Sequence, residues 1–250
     1  MKYLLLSDVH GADLKKAYNL LRDSVDGVII AGDLDRAYIG RQLNEILKED
    51  GNSMFVPGNH DFAHIKKQMI YSGTLEKQKI SSIDMWMEWT DDEEAYDLLN
   101  SIISNKFKNN YPTYRGSAGR KISFSLESGG NAILIHGGLS GNYQGEPSDL
   151  WYRLITQEDY ISNFKIMEHT NHNLMIRGHD HFPRLAYING KNELIVLGTN
   201  ELLNKEIQIT HDLVSITIGA LFNGYYAILN DEEKKRTITF KLNKNLAFKR

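Results

Sequence analysis

The strongest constraint on this chain is the alternation of apolar runs and amphipathic stretches between residues 1 and 61. Tyr3-Leu4-Leu5-Leu6, Gly27-Val28-Ile29-Ile30-Ala31 and Ser53-Met54-Phe55-Val56 are short continuous apolar runs, the mark of strands buried on both faces. Between them, Leu14, Ala17, Tyr18, Leu21 and Val25 recur at helical spacing, as do Ile39, Leu43, Ile46 and Leu47. Strand, helix, strand, helix, strand in so short a span implies parallel pairing through right-handed crossovers. Parallel strands share one C-terminal edge, so the residues just past each strand are gathered there.

Those residues are polar. The three runs end in Ser7-Asp8-Val9-His10-Gly11, Gly32-Asp33 and Pro57-Gly58-Asn59-His60-Asp61. Two later runs end the same way. Asn131 to Ile135, expected to form a hairpin with Arg120 to Leu126 across Gly129-Gly130, leads into His136-Gly137-Gly138-Leu139-Ser140. Asn173-Leu174-Met175-Ile176 leads into Arg177-Gly178-His179-Asp180-His181. These turns hold His10, His60, His136, His179 and His181 out of nine histidines in the chain, a concentration that chance placement would scatter. Residues two apart on an extended segment face the same way, so Asp8 and His10 are expected to leave their strand on one side, as are His179 and His181. Asp33, alone on the middle strand, is the natural carboxylate to bridge two neighbouring cations. The chain has no cysteine, which excludes thiolate ligands and disulfides and leaves nitrogen and oxygen donors suited to manganese, iron or zinc.

The remainder fills out an α/β chain. Thr90 with Glu93 reads as a capping box opening a helix through Ala95, Leu98, Leu99, Ile102 and Ile103. The acidic stretch Asp84 to Asp97 carries Trp86 and Trp89, so a helical insertion is expected at residues 72–118, either a lid over the strand ends or a peripheral helix with solvated charges. A mixed helical stretch is expected near residues 149–169. Short strands then dominate: Arg184 to Ile188, Glu193 to Leu197, Val214 to Ile218, Tyr225 to Leu229 and Arg236 to Leu242, with Asn189-Gly190 as a tight-turn signal. The chain shows no repeat and no linker, so residues 1–250 read as one domain in which two sheets pack face to face with helices outside.

Net charge is −3, which supplies no basic field for holding nucleic acid, and no stable nucleic-acid partner is expected. The N-terminal apolar run is too short and too soon interrupted by Asp8 to read as a signal peptide, and no stretch has the length of a membrane span. A cytoplasmic protein with no membrane partner is the expectation; the oligomeric state is left open.

The series SDVHG, AGD, PGNHD, LIHGG and RGHDH, in order across residues 1–181 and each after a strand, resembles the calcineurin-like metallophosphoesterase family. The resemblance implies a four-layer sandwich, two mixed β-sheets flanked by helices, with two divalent metal ions at the strand ends, manganese first and iron or zinc as alternatives. It implies Asp8, His10, Asp33 and His181 as ligands of one ion, and Asp33, Asn59, His136 and His179 as ligands of the other. It makes His60 the proton donor to the leaving group. HGGLS at 136–140, GDLDR at 32–36 and the segment from Gly219 to Ala227 are similar to the phosphoprotein phosphatase and diadenosine tetraphosphatase branch, in which an acid and an arginine after the bridging aspartate orient the catalytic histidine and bind phosphate. Here that spacer is one residue shorter than the branch's GDxxDR. Arg36 is thus a substrate-binding candidate whose alternative is a surface arginine at a helix start, and Asp35 is left without an assigned role. Arg153 and Arg177 are further cations that could hold phosphate or serve structure. His64, His169, His172 and His211 have no partner at ligand spacing and read as surface or core groups.

The function so implied is a metal-dependent phosphoesterase acting on phosphate monoesters, of a phosphoprotein or a small molecule, or on nucleotide anhydrides. Two cations bridged by Asp33 would acidify a water between them, and the resulting hydroxide would attack phosphorus. A phosphodiesterase or single-strand nuclease is the alternative, favoured by the second histidine of GHDH. A third class, a catalytically inactive protein-binding scaffold, is disfavoured because every expected ligand position is filled.

Overall fold

The computed structural model of the chain describes residues 1–61, 121–140 and 152–248. The expected insertion at 72–118, the capping box at Thr90, and His64 lie outside the described residues. The elements are β1 (Lys2–Ser7), α1 (Leu14–Leu21), β2 (Gly27–Ala31), α2 (Ala37–Glu49), β3 (Met54–Val56), β4 (Lys121–Ser125), β5 (Asn131–Ile135), α3 (Gln157–His169), β6 (Leu174–Arg177), β7 (Arg184–Ile188), β8 (Leu194–Leu197), α4 (Thr199–Leu202), β9 (Glu206–Gln208), β10 (Val214–Thr217), β11 (Tyr225–Glu232) and β12 (Lys235–Leu242). Among them no helix is long and apolar enough to cross a membrane.

The apolar runs form the parallel core of the first sheet, ordered β3-β2-β1-β11-β12-β9. β1 pairs parallel with β2, and β2 with β3, but β1 also takes the C-terminal β11 antiparallel on its other edge, so the sheet is mixed. The second sheet, β4-β5-β6-β10-β7-β8, is mixed as well, with β6 parallel to β5 and β10, and with antiparallel hairpins at both edges.

Strand alternation explains the layers. On β1, Leu4 and Leu6 pack with Leu14, Tyr18, Ile39 and Leu43 of α1 and α2, whereas Tyr3 and Leu5 join Leu134, Ile176 and Ile216 of the facing sheet. Ile133 and Ile135 on β5 point the other way, onto Tyr160, Phe164 and Met167 of α3. Helices, sheet, sheet and helix are thus four layers, and a strand with both faces covered must be apolar throughout.

The helices begin where their caps dictate. Asp13 accepts from the Lys16 amide at 2.9 Å and opens α1, which tightens into a 3-10 turn at Arg22–Ser24 rather than continuing to Val25. Thr156 and Asp159 close a reciprocal capping box at the start of α3. Two details differ from the sequence expectation. Ile188 pairs with Leu194, so the β7–β8 connection is a five-residue loop closed by Asn189 and Glu193, with Asn192 in the left-handed region, and not a two-residue Asn-Gly turn. β9, only three residues long and largely polar, gave no strand signal.

Candidate metal centre

The five polar turns meet at one edge of the sandwich. The His10 amide donates to the Asp33 carbonyl at 2.8 Å, and Gly11 to the carbonyl of Leu34 at 3.2 Å, tying the first turn to the second. The second and third turns lie in contact, and glycine is required there: a Cβ on Gly58 would sit 2.0 Å from Asp33 Oδ1. The fifth turn closes on the first, since the His179 amide donates to both carboxylate oxygens of Asp8 at 3.0 and 3.1 Å.

The local backbone differs from what alternation predicts. β1 stops at Ser7, and Asp8 and His10 take φ values of 47° and 43°; His179 and His181 take 70° and 64°. They reach one side through left-handed turns, not along an extended strand. Asp33 and Asp35 are left-handed too, at 59° and 64°. For non-glycine residues such backbone costs about 1 kcal/mol or more each and persists where the surroundings over-determine it, as at functional sites.

Three groups of donors result, each with its atoms within 4.8 Å of one another: Asp8, His10 and His181; His10, Asp33 and His60; Asp33, His136 and His179. Asp8, Asp33, Asn59, His136 and His179 are buried, while His10, His60 and His181 are partly open. The donor chemistry fits cations. His136 donates through Nδ1 to the Ala31 carbonyl at 2.6 Å, which turns Nε2 towards two acceptors, Asn59 Oδ1 at 3.1 Å and Asp33 Oδ2 at 3.3 Å. Acceptors so crowded need a proton or a metal ion among them. His10 Nε2 likewise faces His181 Nε2 at 3.2 Å, and His181 Nε2 lies 3.5 Å from Asp8 Oδ1. Thus Asp8, His10, Asp33, Asn59, His136, His179 and His181 come together.

Two carboxylates that sequence reasoning left without a role organise this centre. Asp35 holds two imidazoles at once, His10 Nδ1 on Oδ2 and His60 Nδ1 on Oδ1, each at 2.7 Å. The short spacer does not displace this acid from the catalytic-histidine candidate. Asp61, fully buried, accepts the backbone amides of Asp33 and Gly58 on Oδ2 and of Leu34 on Oδ1, at 2.8 to 2.9 Å. The signal for Asp61 was its place beside His60 in PGNHD.

The arginines separate. Arg177 is fully buried and donates to the carbonyls of Gly137 and Tyr152, to Thr217 and to Asp180, which makes it a structural tie between turns. Arg153 is exposed, and its charge bears on both His179 and His181. Arg36 occupies the N-cap position of α2 without a side-chain capping hydrogen bond, and a Cβ at Gly11 would meet its Cγ at 3.4 Å.

Electrostatics follow from this packing. Burial disfavours an imidazolium at His60, but the charge of Asp33 and the hydrogen bond to Asp35 outweigh it and push its pKa to about 10. His136, likewise buried, is raised to about 9, chiefly by Asp33, and His10 is raised by Asp35 and Asp33. Burial and the neighbouring His136 hold His179 well below the usual range. Burial and the Asp33 charge push Asp61 up to about 7. In metal-free protein, the two raised histidines contribute stability that is full below their unfolded value of 6.5 and lost as pH rises through about 9 and about 10. The raised Asp61 acts in the same direction, its contribution lost as pH climbs to about 7. Thermal unfolding of metal-stripped protein should therefore show a midpoint falling from pH 8 to 10, above the range in which the depressed His179 and His181 act in the opposite direction. Manganese uptake should release protons near neutrality, because His136 must give up its proton to become a ligand; calorimetry in buffers of different ionisation enthalpy measures that release.

Over 96% of its length the chain is similar in structure to a metallophosphoesterase from Sphaerobacter thermophilus, with a TM-score of 0.62 and 18% identity, covering 88% of that chain. A phosphoesterase from E. coli, Yfce, matches at a TM-score of 0.39 and 16% identity over 92% of this chain and 88% of that one. No curated protein matches. The sequence model of the calcineurin-like phosphoesterase superfamily domain matches residues 1–216, most of the chain, and the protein belongs to that superfamily.

Proposed function

We propose that the protein is a dinuclear-metal phosphoesterase that hydrolyses phosphate monoesters or nucleotide anhydrides. Asp8, His10, Asp33 and His181 would hold one divalent ion, and Asp33, Asn59, His136 and His179 the other. Such ions would supply Lewis-acid polarisation of the phosphoryl group and a nucleophile at neutral pH. The observation that carries the reading is the Asp35 carboxylate on His60 Nδ1, since it fixes the tautomer and leaves Nε2 to carry a proton to the leaving-group oxygen. Asp35 stays ionised in that role. Burial opposes its charge, but the hydrogen bonds from His10 and His60 hold its pKa below the ordinary carboxylate value. Arg153, exposed and close enough for its charge to bear on His179 and His181, is the candidate to clamp phosphoryl oxygens among the described residues, with Arg36 the second candidate.

The test compares catalytic efficiency of manganese-reconstituted protein on nitrophenyl phosphate and on bis-nitrophenyl phosphate. Dominant monoester cleavage supports the proposal. Dominant bis-ester cleavage replaces it with the phosphodiesterase reading, which the seating of His181 against Asp8 and His10 favours. Cleavage of neither, with two manganese ions bound per chain, would end the general-phosphatase reading and leave a narrow substrate or the scaffold reading.

A further inference from the structure

The centre has an aromatic rim on its His10 side. The loop from Gly219 to Gly224 is fastened to two of the polar turns: the Phe222 amide donates to the Asp8 carbonyl at 3.3 Å and the Ala220 amide to the His181 carbonyl at 3.0 Å. This fixes the Phe222 ring edge-on to the His10 imidazole, with centroids 6.0 Å apart. The C-terminal segment then returns to the site. Its Phe248 amide donates to the Phe222 carbonyl at 3.0 Å, and the two rings lie nearly parallel, inclined by 27°. On the other flank Phe182, directly after His181, meets Tyr225 edge to face at 6.5 Å.

These rings are more open than packing alone calls for. Phe182 is 53% exposed and Phe248 37% exposed, although each stands beside a polar, partly open centre. Tyr38, at the start of α2, donates to the Gly11 carbonyl of the first polar turn and is 42% exposed. Aromatic faces left open beside a reactive centre are the features that bind planar groups by stacking.

We propose that this rim, with Phe248 and Phe182 as its specificity-determining residues, receives a planar aromatic group carried by the phosphoester substrate. The proposal rests on the phosphoesterase reading for the place of the phosphoryl group. It narrows the substrate class to esters of an aromatic alcohol or of a nucleoside. The phosphoryl group lies among the polar turns and the ring lies outside them, so the rim recognises the leaving group and not the phosphate.

Binding of uncleavable ligands to manganese-loaded protein tests this without turnover. One pair is phenylphosphonate against methylphosphonate; the other is 5′-deoxyadenosine 5′-phosphonate, whose carbon–phosphorus bond replaces the ester, against the same methylphosphonate. In at least one pair the aromatic member should bind roughly tenfold more tightly, the gain that one stacked ring gives. That gap should shrink to about twofold or less in Phe248→Ala or Phe182→Ala, with the ring in Phe248→Trp restoring it at position 248. The pair that shows the gap tells a phenol ring from a nucleobase. Equal affinities within both pairs, absence of binding by any of the three ligands, or a gap that survives both alanine substitutions would overturn the proposal. The hydrolytic reading fails separately, if the gap is present while neither nitrophenyl ester is cleaved.

Discussion

His60→Ala lowers turnover of an alkyl phosphate by about a hundredfold to ten-thousandfold, the range for loss of a positioned general acid. The same substitution has a far smaller effect on nitrophenyl phosphate, whose leaving group departs without a proton. That contrast separates a proton donor from a metal ligand, because loss of a ligand would slow both substrates together. The structure supplies the geometry: His60 Nδ1 is 2.7 Å from Asp35 Oδ1, and the residue is partly open at the mouth of the centre. Its pKa of about 10 in the metal-free site reflects the naked charges of Asp33 and Asp35. Cations that compensate Asp33 bring that value down, towards the neutral range where proton donation is efficient. The check is a leaving-group series on wild type and variant at constant manganese content. A drop of the same size for every leaving group would sink the assignment of His60 as the acid.

Much of this site was legible because the fold places every polar strand end on one edge. Three parallel strands in succession are enough to bring Asp8, Asp33 and Asn59 together, and the glycines beside them mark turns where chain segments crowd. Other features were not legible, for physical reasons that can be named. Alternation along a strand gave the right side for His10 and His181 through the wrong backbone, because a left-handed residue redirects the chain in a way that side-chain periodicity does not encode. The part Asp35 plays was left in doubt by the shortened spacer, because its hydrogen bonds to imidazoles from two separate turns are long-range contacts that spacing does not encode. The aromatic rim pairs Phe222 with Phe248, from the end of the described chain, and Phe182 with Tyr225, and no local pattern links either pair.

The same long-range character makes Asp61→Ala the substitution with the largest expected effect on stability. Its carboxylate is the acceptor for three amides, from Asp33, Leu34 and Gly58, in a place no solvent reaches. Each buried donor left without an acceptor costs about 1–3 kcal/mol, and the three are neighbours whose costs are not additive, so the loss should be roughly 3–5 kcal/mol. That is a large share of the 5–15 kcal/mol, roughly, that stabilises an ordinary domain. An opposing effect sets the conditions of the test. Asp61 is buried near Asp33, and the repulsion and lost hydration that raise its pKa to about 7 also disappear when it is removed. In metal-free protein part of the loss is therefore offset, whereas manganese bound as proposed would compensate Asp33 and leave the amide bonds as the dominant contribution. Denaturant unfolding at pH 8 should show a larger deficit for Asp61→Ala with manganese than without it. Asp61→Asn, which keeps the volume and one carbonyl acceptor, should fall between the alanine variant and wild type. A deficit below about 1 kcal/mol with manganese present would put Asp61→Ala among ordinary substitutions and remove this residue as the anchor of the two turns. If the predicted deficit appears, Asp61 is what holds the backbone of Asp33 in its left-handed turn, and with it a carboxylate 3.3 Å from His136 Nε2 and 3.8 Å from His10 Nε2.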